Sequence, residues 1–108
     1  MHKELELYEL VLLFKLSLTD VETTERIERY KTFLTDKGSQ VMVKNHGKRS
    51  LAYPIKGFET ATYVQFAYLG NGDLIKQINT EIQRDEGVLR AITTKLMDET
   101  LSEIFVTA

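Results

Sequence analysis

Catalysis needs a nucleophile, a tuned acid or base, or a bound metal, and the side chains that could supply one are few in this chain and poorly spaced. The two histidines are His2 and His46. Neither stands at a metal-ligand spacing from another donor, and His46, set among polar residues, is read as a surface residue. There is no cysteine, which removes disulfides, thiolate nucleophiles and cysteine-based zinc sites together. Asp85-Glu86 is a pair of carboxylates, but acid–base partners must converge in space and adjacency in sequence does not show that; a solvated turn is the expectation. Gly70-Asn71-Gly72 lacks the spacing and the terminal Lys-Ser/Thr of a phosphate-binding loop, so it reads as turn chemistry. No catalytic residue, metal site or cofactor is assigned.

Binding chemistry is better represented. Between Asp36 and Glu59 the chain has no acid, yet it carries Lys37, Lys44, His46, Lys48, Arg49 and Lys56 around its single proline, Pro54. The whole chain has a formal charge of −2, so nucleic-acid contact would have to come from this local patch. Such cations can meet phosphates and release counterions, and Arg49 can pair bidentately. Lysines on an edge strand also discourage sheet-to-sheet aggregation, and the residues alone leave both readings open. A basic ribbon this small on an acidic chain is a weak sole anchor, so a co-binding partner is expected. Tyr63, Phe66 and Tyr68 offer another surface, since domains that recognise RNA stack bases on sheet aromatics. The usual signature of those domains is missing, and Phe66 is read as core.

These residues need a scaffold. The 108 residues, 43% hydrophobic and 28% charged, suit one soluble domain. The longest apolar run, Leu10 to Phe14, is far short of a membrane span, and the acidic start is unlike a signal or transit peptide. Tyr8, Leu10, Leu12, Phe14 and Leu16 alternate onto one face of a strand. Thr19-Asp20 offers a helix cap with Glu22 in the first turn; Val21, Ile27, Tyr30, Phe33 and Leu34 form the helical stripe, and Lys37-Gly38 ends it. Residues 39–53 are extended, with Gly47 as a bulge or bend and Pro54 at a strand end or exposed edge. Residues 56–60 turn the chain into a strand over Ala61–Leu69. Gly70 to Asp73 is a turn closing on a cap, Leu74, Ile75, Ile78 and Ile82 follow helical spacing, and Val88–Leu96 is the last strand. The order strand-helix-strand-strand-helix-strand predicts an α+β, ferredoxin-like split β-α-β sandwich: four antiparallel strands, the first and third central, with two helices on one face. The other sheet face is expected to stay open to solvent or a partner.

The stretch Gly47-Lys48-Arg49-Ser50-Leu51-Ala52-Tyr53-Pro54-Ile55-Lys56 resembles the signature of the bacterial-type small-subunit ribosomal protein S6 family. Tyr8-Glu9, Tyr63-Val64-Gln65-Phe66 and Val88-Leu89-Arg90 with Lys95 match that family's strands in the right order, over about residues 6–96. Tyr63-Val64-Gln65 and Gly70-Asn71-Gly72 look most like cyanobacterial and plastid members. The resemblance implies one non-catalytic domain across residues 1–108, on the ribosome of a bacterial cytoplasm or plastid stroma. It implies binding to small-subunit ribosomal RNA as a heterodimer with the basic ribosomal protein S18. It further implies RNA contacts at Lys48, Arg49, Arg90 and Lys95, with Lys56 and Tyr8 as additional contacts. The acidic tail, residues 97–108, departs from the basic ending of many relatives and is expected to meet protein or stay disordered.

Two other classes share the fold. An acylphosphatase-like hydrolase needs an arginine in a phosphate-cradling loop near an asparagine, and residues 15–19 hold neither. A regulatory or dimerisation module that binds a small molecule would show ligand-dependent melting and no need of RNA.

Overall fold

Thr19 begins the first helix through a reciprocal cap: its hydroxyl accepts from the Glu22 N–H at 3.1 Å, and the Glu22 carboxylate accepts from the Thr19 N–H at 2.9 Å. The computed structural model describes residues 5–96; His2 and the tail 97–108 lie outside the described residues. The elements are β1 (Glu6–Phe14), α1 (Asp20–Asp36), β2 (Val41–Ile55), β3 (Phe58–Gly70), α2 (Gly72–Gln83) and β4 (Val88–Lys95). They form one antiparallel sheet in the order β2-β3-β1-β4. This is the predicted ferredoxin-like arrangement, with β1 and β3 central.

Alternation sorts the side chains. Leu10, Leu12 and Phe14 of β1 and Val64, Phe66 and Tyr68 of β3 meet Ile27, Tyr30 and Leu34 of α1 and Leu74, Ile78 and Ile82 of α2 in the main core. Leu34 and Phe66 are fully buried, and full burial of such side chains supplies most of the driving force for folding. Val21, assigned to the helical stripe, is instead 66% exposed. It lies six residues before Ile27, off the face that Thr23, Ile27, Tyr30 and Leu34 share at three- and four-residue steps.

The boundaries differ in two further places. Phe58 pairs with Ile55, so the turn is only Lys56-Gly57, both at positive φ (51° and 86°), as a tight two-residue hairpin requires. The second helix is capped by the Asn71 side chain, which accepts from the Leu74 N–H at 3.1 Å, and Asp73 lies inside its first turn.

The second sheet face is not wholly open. Leu51, Ile55 and Phe58 from the far end of the β2–β3 hairpin pack over Val11, Leu13, Ala61 and Leu89. The hairpin outruns the other strands, because β1 ends where Phe14 pairs with Thr62, and its apolar residues curl back onto the nearest uncovered apolar surface.

Candidate nucleic-acid interface

The hairpin arm is shaped by two interruptions in the β2–β3 ladder. At the first, the register shifts between Asn45 and Gly47. Gly47 has φ 77°, a conformation other residues adopt only with strain, and its N–H donates to the Asn45 side-chain oxygen at 2.8 Å. The extra residue, His46, turns onto the face away from the helices. Its Nε2 lies 2.9 Å from the Gln65 side-chain oxygen, while Gln65 Nε2 donates to Glu9 at 2.5 Å. The imidazole also meets Tyr63 edge-on at 5.1 Å. His46 is therefore half-buried in a polar ladder across three strands and not a loose surface group.

The second interruption runs from Ser50 to Ile55, where Ser50 pairs with Thr60 but Ile55 pairs with Phe58. Residues 51–54 bow out of the ladder, and exposed Pro54 sits among them on an edge strand. A residue with no N–H costs nothing where the pairing is already broken. This bow carries Tyr53 across the sheet to β4: Arg90 Nη1 donates to the Tyr53 hydroxyl at 2.8 Å, and the guanidinium lies 5.8 Å from the ring centre. Tyr53 remains 56% exposed.

The register also corrects the expectation of a single basic ribbon. Lys48 pairs with Thr62 and Arg49 with Ala61, so the two neighbours point to opposite faces. Arg49 shares the face of Lys44 and Arg90, whereas Lys48 lines a hollow with Leu18, Thr19 and Asp20 at the start of α1. Lys56 sits at the hairpin tip. Among the described residues, Lys44, Lys48, Arg49 and Lys56 make no ion pair. Arg26 and Arg29, by contrast, hold Asp85 at 3.0 and 3.1 Å, Arg84 pairs with Glu81 and Lys95 with Glu6, while Lys15, Lys31, Lys37 and Lys76 are scattered elsewhere on the fold without an ion pair among the described residues.

Of the six residues that the family resemblance singled out, Lys48, Arg49, Lys56 and Arg90 gather around the arm. Tyr8 and Lys95 are opposite one another at the far end of the sheet. Tyr8 is half-buried against Tyr68, ring centres 6.0 Å apart. Phe66 and Tyr68 are fully buried, which removes them as a stacking surface.

Two features escaped the sequence reading. Tyr53 stood inside a recognised motif, but its partner is 37 residues away. Asp85, expected in a solvated turn, has a side chain only 3% exposed. It accepts from Arg26, Arg29, the Tyr30 hydroxyl at 2.6 Å and the Gly87 N–H at 2.9 Å. Burial pushes its carboxyl up, but the Tyr30, Gly87 and Arg26 donors outweigh that and hold it below the usual range. Asp85 joins α1 to the α2–β4 corner and is committed to structure. Among the described residues no group of three or more histidines or carboxylates could hold a metal.

The family profile described as "Ribosomal protein S6" matches residues 7–95. The small ribosomal subunit protein bS6 of Picosynechococcus sp. is 35% identical over 96 residues, covering 88% of this chain and 84% of that protein. The bS6c protein of Porphyra purpurea is 37% identical over 93 residues, covering 85% and 83%. Among solved structures, ribosomal protein S6 of Thermotoga maritima superposes with a TM-score of 0.83 over 97% of this chain and all of that one, at 19% identity; at that identity the likeness speaks for the fold.

Proposed function

Since the chain belongs to the ribosomal protein S6 family, a structural and non-enzymatic part of the small ribosomal subunit, we propose that it binds small-subunit ribosomal RNA together with ribosomal protein S18. Its relatives serve ribosomes of bacteria and plastids, so the chain works on the ribosome of a bacterial cytoplasm or a plastid stroma. It acts as one domain with a core over about residues 6–96.

The observation that carries the reading is the unpaired charge of the arm. Among the described residues Arg26, Arg29 and Arg84 are paired internally, whereas Lys44, Lys48, Arg49 and Lys56 make no ion pair and cluster in a stretch that has no acid between Asp36 and Glu59. An external polyanion supplies one. Lys48, Arg49, Lys56 and Arg90 meet phosphates, and the arm positions the RNA without reading its bases. Lys95 and Tyr8 form a separate, weaker contact at the far end, because Lys95 already shares its charge with Glu6. Four cations on a chain of net charge −2 give a shallow electrostatic grip, so a basic second protein completes the binding surface.

Sedimentation of the tagged chain from lysate, with and without ribonuclease, tests the ribosomal placement. Filter retention of a small-subunit RNA transcript by this chain, by S18 and by the two together tests the mechanism. Retention by the pair well beyond either protein alone is expected; equal retention by S18 alone would remove this chain from RNA binding.

A further inference from the structure

A cleft of about 650 Å³ opens where the hairpin tip approaches the α2–β4 corner. Lys15 just past β1, Lys56 at the tip and Arg90 on β4 line it, with Asn79 and Gln83 of α2 and Glu86 of the corner. We propose that this cleft is a seat for an RNA phosphate and that Lys15, which neither the motif nor the fold had singled out, is one of its contacts; the proposal rests on the RNA-binding reading above.

The charge balance argues for an anion. Asp85 also lines the cleft, but Arg26, Arg29 and Tyr30 already occupy its carboxylate. Among the described residues that line the cleft, Glu86 is the one acid without an ion pair, against the three cations Lys15, Lys56 and Arg90. Lys15 and Lys56 make no ion pair among the described residues, and Tyr53 holds the Arg90 guanidinium by one nitrogen, leaving its other donors without a hydrogen bond among the described residues. The site is built on fixed backbone. The Lys15 N–H donates to the Gly87 carbonyl at 2.9 Å, and Arg90 is paired with Leu13 in the sheet. Asn79 and Gln83 add amide donors suited to sugar or phosphate oxygens, and the volume suits one nucleotide. An acidic peptide would satisfy the same charges. RNA is favoured by continuity, because Lys56 and Arg90 belong both to the cleft and to the arm, so a strand that passes Arg49 and rounds the tip reaches Lys15 next.

The test uses the full chain with S18 and a small-subunit RNA transcript, titrated across a salt series, in the wild type, Lys15→Gln, Lys15→Arg, Glu86→Gln and the arm variant Lys48→Ala with Arg49→Ala. Lys15→Gln is expected to weaken binding and to flatten the slope of log affinity against log salt by about 0.7–0.9, the loss of one phosphate contact. Lys15→Arg restores the slope. Glu86→Gln tightens binding, an effect that misfolding cannot mimic. If the arm variant weakens binding while Lys15→Gln and Glu86→Gln match the wild type, the cleft proposal is overturned and the arm reading stands. If the wild-type pair retains no RNA, the RNA-binding reading itself falls. If Lys15→Gln weakens association with S18 when RNA is absent, the cleft is a protein contact and the proposal is wrong.

Discussion

Arg90 donates to the Tyr53 hydroxyl at 2.8 Å and so ties the last strand to the bowed arm of the second. The contact fixes a guanidinium at the junction of the arm and the cleft while leaving most of its donors free. Tyr53→Phe keeps the ring and removes the acceptor. It should change stability by no more than about 0.5 kcal/mol, as at most exposed positions, yet lower RNA affinity of the complex with S18. Thermal melting and filter binding on the same preparation separate the two effects.

Asp85 makes stability pH-dependent. Its carboxyl is held below the ordinary range in the folded chain, so its contribution is complete above the unfolded value of about 3.9 and is lost as pH falls towards the folded value. Urea denaturation should give level stability from neutral pH to about 5, then a decline below about 4. Asp85→Asn should be less stable at neutral pH and should decline less steeply in acid; an unchanged acid slope would exclude Asp85 as its source.

The two buried tyrosines on the helix side make opposite predictions. Burial, above all, and donation to Asp85 push the Tyr30 phenol up to about 12, and Tyr30→Phe should cost about 1.5–3 kcal/mol, as for hydrogen bonds to a charged group. The Tyr68 phenol is also pushed up to about 12, mainly by burial, but its oxygen has no hydrogen-bond partner among the described residues. Tyr68→Phe should be neutral or stabilise by up to about 1 kcal/mol. Urea melts of both variants provide the comparison.

Two glycines should respond to alanine for different reasons. A Cβ at Gly87 would stand 2.9 Å from both Arg26 Nε and the Leu18 Cδ1, so it must displace the ion-pair corner, at about 1–3 kcal/mol. A Cβ at Gly47 meets nothing within 4 Å; its cost is conformational alone, about 1–2 kcal/mol for a residue with a Cβ held at positive φ. Heteronuclear NMR should show Gly87→Ala shifting Asp85 and Tyr30 signals, with Gly47→Ala confined to the arm.

Local signals were the most legible in the sequence. Thr19 with Glu22, the stop at Lys37-Gly38 and the bulge at Gly47 follow from the backbone needs of single residues, and strand alternation placed Leu10, Leu12 and Phe14 together on the core face. Errors arose where a choice depends on what another segment does. Val21 looked apolar enough for the core, but Thr23 sits on the inward face. Lys48 and Arg49 looked like one patch, yet neighbours on a strand face opposite ways, and the pairing shift at Gly47 decides which of them lies on the helix side. Asp85 looked solvated because the groups that bury it, Arg26, Arg29 and Tyr30, lie 55 or more residues away. For the interface, sequence located the cations, while only the fold showed which of them lack an ion pair among the described residues.

The most direct test of the account is the salt dependence of RNA binding by the full chain with S18 when Lys48 and Arg49 are both replaced by alanine. The account predicts an intact fold, weaker binding and a slope of log affinity against log salt flatter by about 0.7–0.9 for each phosphate contact removed. An unchanged slope in a well-folded double variant would contradict it, because the unpaired charges of the arm would then have no part in holding RNA.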